Sequence, residues 1–187
     1  PVWDGGVSEY SYYVINNYLG SVKDTIERLC ELKAELEAMD EPVVLVVYGD
    51  HKPWLGDNSV TYDELGINLD RSTTEGFNNY YSTRYLIWAN DAAKEACDND
   101  FTGSGPDISP CYLMNVLFSQ LGWDGPAYMK FMNDAQTFLP VINTSGFYLV
   151  DGEITNSISG SLLEQKQTID NVQYYMRRNF KFSEVAS

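Results

Sequence analysis

The feature that most constrains this chain is an unbroken apolar run, Val43–Tyr48, which is followed at once by Gly49, Asp50 and His51. The run is rich in β-branched residues and begins after Pro42, so it predicts a strand. Because successive residues are all apolar, we expect the strand to be buried on both faces, as parallel strands of α/β sheets are. Ligands bind beyond the carboxyl ends of such strands, which is where Asp50 and His51 stand.

Asp50 and His51 are candidate metal ligands. Neighbouring side chains of a pleated strand point to opposite faces, so these two can share an ion only if the chain turns. Gly49, with its freedom of backbone angles, would allow that turn. A carboxylate oxygen beside a neutral imidazole suits Zn²⁺, Mn²⁺ or a similar divalent ion. The alternative is an ordinary Gly-Asp turn, followed by a histidine that only forms hydrogen bonds.

The segment 42–56 (PVVLVVYGDHKPWLG) resembles the Gly-Asp-His segment of the sulfatase-like branch of the alkaline phosphatase superfamily. More narrowly, it is similar to the lipoteichoic acid synthase and phosphoglycerol transferase group. Further similar stretches follow in the family's order, namely residues 10–25, 81–90, 109–122 and 138–141. The resemblance runs over most of the chain and covers the C-terminal half of such a catalytic domain.

The resemblance implies an α/β fold for residues 1–187. This would be the C-terminal part of an alkaline-phosphatase-like α/β/α sandwich, with a small β-hairpin and a C-terminal helix. It implies a metal-dependent phosphoglycerol transferase or sulfatase-like enzyme that acts on phosphate or sulfate esters in cell-envelope polymer synthesis. The substrate would be a phosphoglycerol lipid or a related anionic ester. In this family the catalytic domain commonly lies on the extracellular face of the bacterial cell membrane.

One divalent ion, Mn²⁺ or alternatively Mg²⁺ or Ca²⁺, would be held partly by Asp50 and His51. By the same resemblance, the nucleophile and a further acidic ligand would lie before Pro1, so we assign no catalytic residue to this chain. Two protein ligands rarely hold a divalent ion tightly. We therefore expect the chain alone to bind metal weakly or not at all and to be inactive.

Lys52 and Trp54 directly follow the Asp-His pair and are candidate substrate-binding residues. Lys52 would neutralise an anionic substrate, and Trp54 would offer a platform for it. The alternatives are a solvated lysine and a tryptophan that packs within its own loop. The surrounding segment, residues 52–82, is turn-rich and polar, with two short helical candidates at 61–65 and 73–81; so long a loop is usually functional or mobile.

The charge balance excludes one class of partner. Twelve basic and 27 acidic residues give a formal net charge of −15. No basic field is available for nucleic acid, and attraction to an anionic lipid surface is disfavoured. No apolar run approaches the roughly 20 residues of a membrane-spanning helix, and we find no signal peptide.

The remaining sequence predicts mainly helices. The three cysteines do not form a disulfide framework. We expect Cys30 on the apolar side of a helix, buried in the core, and the sequence leaves open a disulfide between Cys97 and Cys111. The other expected elements are a helix from Ser21 to about Met39, a buried strand 85–89, a loop 90–107, helices starting at Ser109-Pro110 and at Pro126, a hairpin at Asp151-Gly152 and a last helix ending near Phe180.

Two other functions stay open at this stage. One is a non-catalytic surface or interaction domain that keeps the fold without the chemistry. The other is a true sulfatase or a phosphoethanolamine transferase. Half of a domain would expose strand edges and apolar surface, which would favour self-association.

Overall fold

A computed structural model describes residues 3–179. The chain divides into two compact units, Pro1–Thr102 and Gly103–Ser187. Both mix helices with small antiparallel sheets. Along residues 3–179, no helix combines the length and the apolar character needed to cross a membrane.

The first unit is built around one long helix and a two-stranded antiparallel sheet. Its elements are α1 (Glu9–Glu37), β1 (Val44–Tyr48), α2 (Val60–Glu64), α3 (Thr74–Tyr81), β2 (Tyr85–Ala89) and α4 (Asp91–Cys97), with a 3₁₀ turn at Asp57–Ser59 before α2. Helices α2 and α3 agree with the two short helices predicted within residues 52–82. Helix α4 was not predicted, since we expected a loop there.

Strand β1 pairs with β2 in antiparallel register, from Val44 opposite Ala89 to Tyr48 opposite Tyr85. The expectation of a parallel strand buried on both faces is therefore wrong. Most residues of β1 are half-buried, and Tyr48 is 60% exposed. An apolar run carries no information on strand direction, because direction depends on a partner distant in sequence. Within the described residues β2 is the only strand beside β1.

Helix α1 begins earlier than the sequence suggested. The Ser8 hydroxyl caps it by accepting a hydrogen bond from the Ser11 backbone N–H at 3.3 Å. Ser21, which we expected to be the cap, lies inside the helix, where its hydroxyl donates to the Asn17 carbonyl at 3.2 Å. Cys30 is exposed, so its expected place in the core is also wrong.

Asn90 ties the sheet to the end of α1. Its side chain is fully buried. The Oδ1 atom accepts from the backbone N–H groups of Val43 at 3.0 Å and Ala93 at 2.9 Å, and so caps α4. The Nδ2 group donates to three main-chain oxygens, those of Leu36, Met39 and Glu41. One carboxamide thus holds the return from α1 into the start of β1, while Asp50 follows the opposite end of that strand.

The second unit packs helices over a three-stranded antiparallel sheet. Its elements are a 3₁₀ turn at Pro110–Tyr112, α5 (Leu113–Gln120), α6 (Ala127–Phe138), β3 (Val141–Ile142), β4 (Tyr148–Val150), β5 (Glu153–Thr155) and α7 (Gly160–Asn179). Its buried core consists of Tyr112, Met132, Ala135, Leu139 and Ile169. The helical segments that follow Ser109 and Pro126 begin where the sequence predicted. Phe180, the expected end of α7, lies outside the described residues.

The predicted hairpin is present. β4 and β5 pair across Asp151 and Gly152, whose φ values of 51° and 82° match the left-handed turn that Asp-Gly favours. The three cysteines are free thiols, and the Cys97–Cys111 pair that the sequence left open is not formed.

Candidate functional site

The candidate site begins where β1 ends. The Gly49 backbone N–H donates to the Arg84 carbonyl at 3.0 Å, and the Thr83 hydroxyl donates to the Gly49 carbonyl at 2.8 Å. Gly49 does not have a positive φ, so the backbone freedom we expected of it is not used. Its constraint is steric, because a Cβ atom there would lie 3.2 Å from the Thr83 Cβ.

The side chains of Asp50 and His51 converge. Asp50 Oδ1 accepts a hydrogen bond from the His51 backbone N–H at 2.9 Å, and Oδ2 lies 3.5 Å from His51 Nε2. The other ring nitrogen, Nδ1, lies 2.8 Å from the Lys52 carbonyl oxygen. A carbonyl oxygen only accepts, so Nδ1 carries the proton of the neutral ring. The lone pairs of Nε2 and Oδ2 then lie side by side.

Such a pair fits a shared divalent ion. Two ligands at about 2.1 Å from a metal, separated by a tetrahedral angle, lie about 3.4 Å apart. The observed 3.5 Å between Nε2 and Oδ2 is close to that separation. Hydrogen bonding of the second ring nitrogen to a backbone carbonyl is also the usual way in which proteins fix a ligating histidine.

The pair is also open and incomplete. The side chains of His51 and Asp50 are 78% and 80% exposed. Between residues 3 and 179, no group of three or more His, Cys, Asp and Glu side chains could hold a metal. Metal sites in proteins normally use three or four protein ligands. A metal ion bound by this pair would therefore take its remaining ligands from water or from residues of another polypeptide segment.

A cleft of about 530 Å³ adjoins the pair. Lys52 and Trp54 both line it, and Trp54 is 68% exposed. Three tyrosine rings complete much of the wall, those of Tyr62, Tyr80 and Tyr81. Tyr62 is buried and its hydroxyl donates to the Pro53 carbonyl at 2.7 Å, which fixes the loop between Lys52 and Trp54. Burial raises the pKa of Tyr62, so this donor stays protonated.

Two cationic side chains bear on this cleft: Lys52 lines it, and Arg71 contacts two of the tyrosines that line it. Lys52 forms no ion pair with any described residue, whereas Lys23, Lys33 and Lys94 each pair with an acid. Arg71 places its guanidinium 5.0 Å from the centre of the Tyr80 ring and bonds to Tyr81. Sequence reasoning missed Arg71, because its partners follow nine and ten residues later and form no local pattern.

No family model, curated protein or solved structure matches this chain. The resemblance to sulfatase-like enzymes therefore rests on the residues quoted for it.

Proposed function

We propose that this chain is the C-terminal half of a sulfatase-like, metal-dependent phosphotransferase or hydrolase, and that Asp50 and His51 supply two ligands of its single divalent ion. One observation carries the proposal. Nε2 and Oδ2 lie 3.5 Å apart, and the bond from Nδ1 to the Lys52 carbonyl leaves both of them free to bind the same ion.

The residues of this chain would have distinct roles. Asp50 contributes a negative oxygen, and His51 a neutral nitrogen, to an ion that, when bound, lowers the pKa of a nucleophile and stabilises charge on the transferred oxygens. The Lys52 carbonyl holds the imidazole in the ligating tautomer. The Lys52 ammonium group neutralises the charge of a phosphate ester, and Trp54 contacts its organic part.

We extend the proposal to the partners that the resemblance implies. Mn²⁺ is the ion we favour, with Mg²⁺ or Ca²⁺ as alternatives, and the substrate is a phosphoglycerol lipid or a related anionic ester outside the bacterial cell membrane. The nucleophile and the missing acidic ligand belong to the N-terminal half of such a domain. Lys52, which lines the cleft without an ion pair to any described residue, supports an anionic substrate, even though the chain as a whole carries a formal net charge of −15.

A non-catalytic interaction domain is the second candidate, and exposed apolar side chains favour it. Ile26 on α1, Tyr48 on β1 and Leu86 on β2 are 53%, 60% and 52% exposed. Exposed apolar residues of this kind mark contact surfaces when they cluster. The half-domain proposal explains the same residues by the missing half of the sheet, so activity must distinguish the two.

The test is metal-dependent turnover by a chain extended upstream to include the N-terminal half. We expect hydrolysis of a chromogenic phosphodiester that requires Mn²⁺. Asp50→Asn keeps the acceptor for the His51 N–H but weakens the ligand, so activity should fall by roughly 100-fold or more. Asp57→Asn is the matched control, since the Asp57 side chain is exposed and has no described hydrogen bond. Equal activity of the two variants, or no metal-dependent turnover in the extended wild type, would contradict the proposal.

A further inference from the structure

A second cleft lies within the C-terminal unit and differs in chemistry from the first. It has a volume of about 300 Å³ and is formed by side chains of α5 and α6, together with Pro106. Six of its eight lining residues carry an amide or a hydroxyl group and none is ionisable, although most of the exposed lining surface is apolar.

Asn115 of α5 lies at this cleft with an unsatisfied oxygen. Its side chain is 1% exposed. The Nδ2 group donates to the Met129 carbonyl at 2.8 Å and to Asn133 Oδ1 at 2.6 Å, while Oδ1 has no hydrogen-bond partner. The carbonyl of Met129 can only accept, so the amide cannot turn over to satisfy Oδ1. A buried acceptor without a donor is costly, and native structures keep few of them.

The neighbouring side chains have unused hydrogen-bonding capacity. Asn133 uses its oxygen on Asn115, so its Nδ2 group has donors to spare. The Gln136 carboxamide and the Ser119 hydroxyl, which also line the cleft, form no hydrogen bond with any described residue. The cleft therefore offers the amide donors of Asn133, the complete carboxamide of Gln136 and the hydroxyl of Ser119 within one small volume, and the unsatisfied oxygen of Asn115 lies buried behind them.

We propose that this cleft binds a neutral polyhydroxylated molecule of about monosaccharide size. The amides of Asn133 and Gln136 bind adjacent ligand hydroxyls, since an amide offers a donor and an acceptor side by side. Asn115 is itself buried and positions Asn133 through the hydrogen bond from its Nδ2 group. An anion finds no cation among the lining residues, and a cation finds no carboxylate. The volume of about 300 Å³ lies at the lower end of the range for ligand sites. This site stands apart from the proposed metal chemistry and does not depend on it.

The test follows the side-chain amide signals of the full chain by ¹H–¹⁵N NMR. Glucose and myo-inositol are the probes, with glucuronate and glucosamine as charged comparators. We expect saturable shifts of the Asn115, Asn133 and Gln136 amide signals with the neutral probes at roughly millimolar concentration. The charged comparators should bind several-fold more weakly.

Two variants make the result specific. Gln136→Ala should weaken binding several-fold, because one amide is lost. Gln167→Ala, at an exposed position of α7, is the matched control and should leave binding unchanged. If the spectrum shows that Gln136→Ala unfolds, Ser119→Ala at an exposed cleft position replaces it. Absence of a saturable shift would show a cleft filled only by water, and undiminished binding in the folded variant would place the ligand elsewhere; either result overturns the proposal.

Discussion

Removal of the Asn90 carboxamide should destabilise the first unit more than any exposed substitution. In Asn90→Ala, the backbone N–H groups of Val43 and Ala93 both lose their acceptor. Ala93 is fully buried and Val43 is half-buried. An unsatisfied buried donor costs about 1–3 kcal/mol, so we expect a loss of about 2–4 kcal/mol in the free energy of unfolding. The three carbonyls bound by Nδ2 add little to this, since they lie where the chain leaves α1 and can be hydrated.

Urea unfolding followed by circular dichroism measures this loss. Asn17→Ala is the matched control, because Asn17 is exposed within α1. Alanine favours a helix over asparagine, so the control should lie within about 0.5 kcal/mol of the wild type or slightly above it. A third variant, Asn90→Asp, keeps both acceptor bonds but sets a carboxylate against three carbonyl oxygens, and should also be destabilised at neutral pH. If Asn90→Ala and Asn17→Ala unfold at the same urea concentration, the role given to Asn90 is wrong.

Three further substitutions in the same unit have predictable effects. A Cβ atom at Gly76 would lie 2.6 Å from the Asp70 backbone N and C and closer still to its O, so Gly76→Ala should cost at least about 2 kcal/mol. A Cβ atom at Gly20 in α1 would have no other atom within 4 Å, so Gly20→Ala should instead stabilise the protein by about 0.5–1 kcal/mol. Equal urea midpoints for the Gly76→Ala and Gly20→Ala variants would contradict this. Hydrogen bonds from the Ser8 backbone N–H and hydroxyl lower the pKa of Glu64. The stability that these hydrogen bonds contribute is present above the unfolded-state pKa of about 4.3 and is lost as the pH falls through the lower pKa of the folded state. Glu64→Gln should therefore make the free energy of unfolding fall less steeply as the solution is acidified. An unchanged slope would refute this prediction.

The elements that the sequence predicted correctly are those with local signals. Asp151-Gly152 between two short β-prone runs produced the hairpin, and Pro126 preceded α6. The start of α1 was misplaced because Ser21, with Asp24 three residues later, resembles a variant capping box, whereas the hydroxyl of Ser8 forms the cap. Ser8 is held there by Glu64, which lies 56 residues away and leaves no local trace.

What could not be predicted depends on partners distant in sequence. The apolar run of β1 indicated a strand, yet its antiparallel neighbour follows some forty residues later. Asn90 looked like the first residue of a loop, and its five side-chain bonds appear only once α1, β1 and α4 are assembled. For the candidate site, the sequence singled out Asp50 and His51. The tautomer of the imidazole, set by the Lys52 carbonyl, required the structure.

The most direct test of the central claim uses the fact that His51 is the only histidine in the chain. Its ring protons give an isolated pair of NMR signals, which Mn²⁺ broadens strongly when it binds at the imidazole. We expect substoichiometric Mn²⁺ to broaden these signals before others, with roughly millimolar affinity because only two protein ligands are present. Asp50→Asn should remove this preference, whereas Asp57→Asn should retain it. Broadening of the His51 signals no earlier than those of unrelated residues, or to the same extent in Asp50→Asn, would show that the pair does not bind a metal ion.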